Sequence, residues 1–371
     1  MPSVRDVVRI MENLAPARLA ESWDRVGLQT GNADWPVHSI WVALDPLPDV
    51  ILAACEQNVD LLITHHPLLF RPLASLDFGS PMGALLYRAA LGKLSIYASH
   101  TNLDKTPGGL NDMLARRIGL NDTSVFAPSQ DVELCKLVIF VPAGYEDNVM
   151  TALFHSPAGR IGAYSCCTFR NSGMGSFCPE SGATPFVGTP GEVSQVNEVR
   201  IESIVEKKDV SRILANIRPH HPYQTMAVDV YPLVDIEGRI GLGRIGNLES
   251  GVTLRRFGMM VRDKLGLSGV RITGKQDMVV HRVALCSGSG SSLMKSFFAS
   301  DADVYLSGDL RYHDARDAES AGKALVDIGH FGSEHLMVDE IADFLRQRIT
   351  EKSWDIRVTA CQLEKDPFVM V

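Results

Sequence analysis

No two cysteines in this chain stand in the Cys-x-x-Cys spacing of a thiol-redox or zinc-ribbon motif, and the seven that occur, at 55, 135, 166, 167, 178, 286 and 361, are an odd number. A disulfide framework is therefore not expected; a reducing compartment, with most thiols packed as small apolar side chains, is. The adjacent Cys166 and Cys167 make a poor thiol pair, because neighbours on a strand point to opposite faces. A basic excess is also missing: the formal net charge is −8, which argues against a nucleic-acid-binding surface, since phosphate neutralisation needs a basic face. No apolar run approaches the roughly 20 residues of a membrane span. The opening MPSVRDVVRIMENLAP is amphipathic and lacks the apolar stretch of a signal peptide, so the expected location is the cytoplasm.

What is present is ordinary globular material, 45% hydrophobic and 22% charged. A chain of 371 residues exceeds what one core usually serves, so more than one domain is expected. Up to about residue 130, helix and strand signals alternate. Helices are predicted over 3–13, 47–57, 81–92 and 107–118, and strands over 38–46, 60–67 and 93–100. From 252 the alternation resumes, with helices at 252–265, 312–321 and 333–349, a strand running into a glycine-rich turn over 281–292, and strands at 301–310, 323–330 and 355–360. This pattern predicts an α/β domain, a mostly parallel sheet covered by helices, made of residues 1–131 and 236–371. Between them, KLVIFVP (136–142), a helix at 145–155, a glycine-rich stretch at 156–192, an alternating strand at 197–205, a helix at 209–217 and a strand at 226–233 read as β-α-β-β-α-β. Residues 132–235 are therefore predicted to form an inserted ferredoxin-like α+β domain, with the glycines of 156–192 serving tight turns.

Four polar clusters fall where predicted strands end: Thr64-His65-His66-Pro67, Ser99 to Asp104, Ser307-Gly308-Asp309, and His330 to Glu334. Ligands of open parallel sheets bind at the carboxyl ends of the strands. Histidines with carboxylates are the usual donors for zinc, iron or manganese. An apolar strand ending in two imidazoles is unusual without a ligand. His330 and Glu334, spaced i,i+4, share one face if a helix starts at 330. The predicted metal ligands are therefore His65, His66, Asp104, His330 and Glu334. His100, His313 and His335 are expected to support the site rather than ligate, with Asp309 available to hold a ligand's second ring nitrogen. His220-His221-Pro222 reads mainly as a polar loop. The Ser-Gly-Ser-Gly-Ser-Ser run at 287–292 resembles a phosphate-cradling turn but lacks a Walker lysine and full GxGxxG spacing.

Several runs, taken in order, resemble the Nif-three-like dinuclear-metal family, whose bacterial members are called GTP cyclohydrolase 1 type 2 homologues. They are WDRVGLQTG (23–31), THHPLLF (64–70), SHTNLDKTPGGLND (99–112), VYLSGDLRYHDA (304–315) and GHFGSEHL (329–336). Within and beside the insertion, GRIGAYSCCTF (159–169), GTPG (188–191), NEVRIE (197–202) and GLGRIGNL (241–248) match the longer bacterial form. The resemblance implies an insertion similar to CutA and PII-type proteins. It also implies a toroidal homo-hexamer with metal pairs facing an internal cavity, and the same five ligands. The insertion of such proteins usually carries His-Pro-Tyr-Glu-Glu-Pro, whereas this chain reads His221-Pro222-Tyr223-Gln224-Thr225-Met226.

Two divalent ions, Zn²⁺ foremost and Fe²⁺ or Mn²⁺ as alternatives, would lie about 4 Å apart and share a hydroxide nucleophile at neutral pH. The family name implies attack on C8 of the guanine of GTP with loss of formate, His100 or Glu334 moving the proton. The same site would suit hydrolysis of a phosphoester or an amide. A metal-binding or regulatory ring without catalysis is the reading from a different class.

Overall fold

The computed structural model describes residues 1–128, 134–161, 164–233 and 240–369. The chain forms two compact units, residues 1–129 with 238–371, and residues 130–237. The boundaries predicted at 131/132 and 235/236 lie outside the described residues.

The first unit carries two sheets. In one, the strands run in the order Gly27–Thr30, Ser95–Ala98, Leu61–Thr64, Ser39–Ala43, Arg357–Ala360. All its neighbours are parallel except the edge pair Gly27–Thr30 and Ser95–Ala98. The middle strands are buried on both faces, as short apolar runs in a helix-covered parallel sheet must be. The other sheet orders Arg271–Thr273, Ala324–Asp327, Val304–Gly308, Val279–Ser289, Gly241–Thr253, Asn121–Pro128. Only its central three strands pair in parallel; the remaining pairs are antiparallel. The sheets are thus mixed rather than mostly parallel, because antiparallel strands stand at the edges and the long strand Gly241–Thr253 runs antiparallel to both of its neighbours.

Helices Val4–Leu14 and Leu336–Glu351 cover the first sheet, with Val7, Met11, Ile341 and Leu345 packed on Ile40, Leu61 and Ile63. Each such fully buried aliphatic side chain contributes about 1.5–3 kcal/mol. The first of these helices starts where the Asp6 carboxylate accepts the Ser3 backbone N–H at 2.9 Å, a cap at its N-terminus. The helix predicted at 107–118 is Leu110–Ile118, beginning after Pro107-Gly108-Gly109, and a short helix not expected from the sequence, Thr101–Lys105, precedes it. No helix among the described residues is long and apolar enough to cross a membrane.

The second unit runs strand Leu134–Pro142, helix Glu146–Phe154, strands Thr168–Phe177 and Ser194–Glu206, helix Val210–Ile217 and strand Ala227–Pro232. Its sheet is antiparallel throughout, with the second, third, first and fourth strands side by side. Strand Thr168–Phe177 lies in the glycine-rich stretch that the sequence reading gave to tight turns. It is an edge strand with mostly exposed residues, so it needs no alternating apolar side chains.

Candidate metal centre

The parallel strands of the first unit end in the four clusters singled out by sequence, and those ends converge. Strand Leu61–Thr64 stops where the N–H groups of both His65 and His66 turn onto the Leu44 carbonyl, at 3.1 and 3.0 Å. This turn aims both rings to one side, their centroids 5.1 Å apart. His100 begins the helix after strand Ser95–Ala98, and its ring lies 5.1 Å from His65 and 5.3 Å from His66. Asp104 follows one turn on. His330 and Glu334 sit on the helix after strand Ala324–Asp327, as the i,i+4 spacing required.

Each of the four imidazoles has its Nδ1 held by an acceptor. His65 Nδ1 donates to the Ser99 carbonyl at 2.9 Å, His66 Nδ1 to Asp45 Oδ1 at 2.7 Å, His100 Nδ1 to Asp24 Oδ1 at 2.9 Å and His330 Nδ1 to Asp309 Oδ2 at 2.8 Å. A carbonyl or carboxylate only accepts, so the ring proton sits on Nδ1 and Nε2 keeps its lone pair. For His65, His66 and His330 these Nε2 atoms face carboxylates. His66 and His330 Nε2 are both 3.1 Å from Glu334 Oε2. His65 Nε2 is 3.6 Å from Glu334 Oε1 and 3.8 Å from Asp104 Oδ1.

A lone pair facing a carboxylate oxygen is repulsive unless a proton or a metal cation lies between them. His65 Nε2 and Glu334 Oε2 are buried without a hydrogen-bond partner, a costly state that a cation would relieve. Among the described residues, His66, His330 and Glu334 bring one ligand atom each to within 4.8 Å of one another, and so do His65, His66 and His100. The donor set thus fits divalent metal. Asp104 stands outside both trios. Its Oδ1 faces His65 and accepts from the Ser287 hydroxyl at 3.1 Å.

The electrostatics agree. Burial opposes charge on His66, but Asp45 and Glu334 outweigh it and push its pKa up to about 10. Glu334 and Asp309, against burial, push His330 up to about 9. Burial also opposes charge on His65, and Glu334 and Asp104 outweigh it, so its pKa rises. Glu334 itself is held well below the usual carboxylate range: burial works against this, and His65, His330 and His66 prevail. Burial pushes Asp104 up. Protons gather where the geometry asks for cations.

Glycine has a specific task here. Gly288 has φ +61°, and a Cβ on it would lie 2.4 Å from Glu334 Oε1. Its N–H donates to the Ser333 hydroxyl at 2.8 Å. The Ser-Gly-Ser-Gly run, which resembles a phosphate cradle only in part, therefore lets main chain approach Glu334. It leads into a helix of only six residues, Met294–Ala299. Asp309 sits at φ +53°, a left-handed conformation that Asp tolerates better than most residues, and this aims its carboxylate at His330.

Sequence reasoning offered Asp309 as a holding group and overlooked Asp45 and Asp24 in that role. Asp45 ends strand signal 38–46, the same signal that marked the other clusters. Asp24 lies 76 residues from the ring it holds and anchors helix Thr101–Lys105 through the Thr101 N–H at 3.0 Å. His100, expected to support, has the same oriented Nε2 as the other three. His221 is satisfied internally, its Nε2 donating to the Phe140 carbonyl at 2.9 Å and its Nδ1 accepting from the Tyr223 N–H at 3.1 Å. His313 is exposed, and His335 stacks on Phe331 at 4.5 Å. Beside His100 stands an exposed aromatic pair, Trp23 and Phe70, 5.9 Å apart, with Trp23 6.0 Å from the His100 ring.

The comparisons agree in extent. The Duf34/NIF3 (NGG1p interacting factor 3) model matches residues 2–367. A Bacillus subtilis protein named GTP cyclohydrolase 1 type 2 homolog is 37% identical over 367 residues, covering 99% of this chain and 98% of its own. The crystal structure of a Bacillus cereus protein related to NIF3 is similar with a TM-score of 0.74 at 36% identity, over 100% of this chain and 99% of that one. A Staphylococcus aureus protein gives 0.78 at 28% identity, over 100% and 99%. With a family model spanning nearly its whole length, the chain belongs to the Duf34/NIF3 (NGG1p interacting factor 3) family.

Proposed function

We propose that the protein is a dinuclear-metal-dependent hydrolase acting on a nucleotide or a related small molecule. The observation that carries this reading is the set of four imidazoles, each fixed through Nδ1, of which His65, His66 and His330 turn Nε2 toward the buried Glu334 while His100 lies beside His65 and His66. His66, His330 and Glu334 would hold one ion; His65 and Asp104, with Glu334 presenting its other oxygen and His100 adjacent, would hold the second. Bound divalent ions lower the pKa of water toward neutrality and polarise the bond to be cleaved. Imidazole with carboxylate suits Zn²⁺ first, with Fe²⁺ or Mn²⁺ as alternatives.

The chain's own groups do the rest. Asp45, Asp24 and Asp309 fix the rings. His100, its Nδ1 engaged by Asp24, is the group placed to pass a proton at Nε2. The exposed Trp23 offers one apolar ring face for a planar base to stack on, and the relatives' name points to GTP as the first compound to try. The inserted unit we read as ferredoxin-like and of the CutA/PII kind, a reading supported by its strand order. A homo-oligomer, a hexamer by the family resemblance, is consistent with the exposed large apolar side chains Phe70, Leu73, Leu76, Phe78, Tyr87 and Leu91 along one segment. The site of action would be the cytoplasm.

The test is metal analysis of the purified protein, followed by a screen of GTP, other nucleotides, phosphoesters and amides with the metal found. Turnover that chelator abolishes and the metal restores supports the hydrolase. Stoichiometric metal with no turnover on any of them would replace it with the non-catalytic metal-binding reading.

A further inference from the structure

The second unit contains a cavity of about 300 Å³ with no part in the metal centre. Phe177, Phe186 and Tyr223 line it. The Tyr223 ring lies 6.1 Å from Phe177 and 6.2 Å from Phe186, at interplanar angles of 57° and 51°. Tilted rings make a bent wall. A flat heterocycle is held best between parallel faces, whereas a bent aromatic wall suits a rounded group.

Among the described residues, Glu198 is the one charged side chain in the lining, and no Lys or Arg contributes. Its Oε1 accepts the Tyr223 hydroxyl at 2.9 Å. Burial and the same carboxylate push the Tyr223 phenol well above its ordinary value, so it remains a donor. Glu198 is thereby fixed beside the aromatic wall with further lone pairs to spare. The opposing strand makes room for it. Gly173 is the direct cross-strand partner of Glu198, and a Cβ on Gly175 would lie 2.2 Å from Glu198 Oε2. Gln224 and Thr225, where this chain departs from the acidic pair of the resembling insertions, also line the cavity. The negative charge is thus single and placed, not diffuse.

We propose that this cavity binds a small organic monocation, an alkylated or methylated ammonium ion, with the aromatic wall against its alkyl groups and the Glu198 carboxylate as counter-charge. Phosphate-bearing ligands are disfavoured by the same lining, which offers an anion no cationic partner. The cavity volume is at the lower end for ligand sites, as a compact ion requires.

The experiment uses the full-length protein with choline chloride as probe and the uncharged isostere 3,3-dimethylbutan-1-ol as control, read by saturation-transfer NMR and calorimetry. Choline is expected to bind, and the neutral isostere about tenfold or more weaker, since the cation–π and charge contributions are lost. Glu198→Gln keeps the size and an acceptor for Tyr223, and is expected to remove most of the preference for choline. Phe186→Ala, at a partly exposed loop position, is expected to weaken both ligands. Neither variant should alter metal content, and a retained second unfolding transition together with amide hydrogen-exchange protection in residues 134–232 reports that the second unit is still folded. Equal affinity for the two ligands, choline preference surviving in Glu198→Gln, or no signal from choline at about 10 mM would each overturn the proposal.

Discussion

The Glu364 carboxylate accepts the backbone N–H of Asp45 at 2.6 Å and that of Leu44 at 2.8 Å. Asp45 in turn holds His66 through Nδ1, so a residue close to the C-terminal end of the chain reaches the metal centre through one intermediary. Glu364 is buried, and Glu364→Ala would leave two N–H groups unsatisfied, at a cost of about 1–3 kcal/mol each. The variant is expected to bind metal about tenfold more weakly and to melt at lower temperature. Metal titration monitored beside thermal unfolding checks both; unchanged metal affinity with a lowered melting point would reduce Glu364 to a structural role.

Glu334→Gln preserves volume and removes the charge shared by three imidazoles. Metal content is expected to fall by about one ion per chain or more while the fold persists. His65→Ala and His66→Ala should lose metal similarly. His281→Ala, on a strand away from the centre, should not. Elemental analysis of the four variants decides it, and full occupancy in Glu334→Gln would remove that residue from the site.

Metal loading should depend steeply on pH. His66 and His330, pushed up to about 10 and about 9, carry protons at neutral pH when no cation is bound, and metal must displace them. Affinity therefore rises with pH, and binding releases protons into a weakly buffered solution. The sign for the metal-free protein is opposite. Both pKa values lie above the unfolded value of about 6.5. Their stabilising contribution is complete below that pH and is lost as pH climbs through 9 to 10. Melting curves with chelator between pH 6 and pH 10, roughly the span of those values, should fall where metal-loaded curves stay level.

Pro128 and Gly241 are paired neighbours in adjacent antiparallel strands, so the chain leaves the first unit and returns to it at one place. Replacing residues 132–235 with a short Gly/Ser linker should therefore give a folded protein that keeps its metal and loses choline binding. A soluble, folded deletion without metal would show that the second unit completes the centre.

Trp23→Ala should leave metal content unchanged and raise KM for a substrate with a planar base more than it lowers kcat, by about fivefold or more if stacking contributes 1 kcal/mol. A pure kcat loss would assign Trp23 to positioning His100 instead.

The residues proposed as ligands were legible because each stands where a short apolar strand stops or about one helical turn beyond, a signal contained in a few consecutive residues. Their supports were not. Asp24 and Asp45 act across 76 and 21 residues, and nothing local marks a carboxylate that will face an imidazole. Strands Gly27–Thr30 and Thr168–Phe177 were missed because edge strands with glycine and exposed polar residues show no period-two pattern. The part played by Gly288 was not legible for a related reason: the spacing of glycines reports that main chain must come close to something, and only the fold reveals that the something is Glu334.

The centre is graded in burial, from His65, wholly enclosed, to His330, 38% exposed in its side chain. Main chain at Gly288 closes the region next to Glu334, and the more exposed imidazoles are His330 and His66, so traffic with solvent passes on their side. Exchange at the two positions would then be unequal in time. The ion beside His330 would equilibrate quickly with the medium, while the one beside His65 would leave only when the enclosure opens. A cell short of metal would draw down the outer position first and keep the inner one as a slowly released remainder.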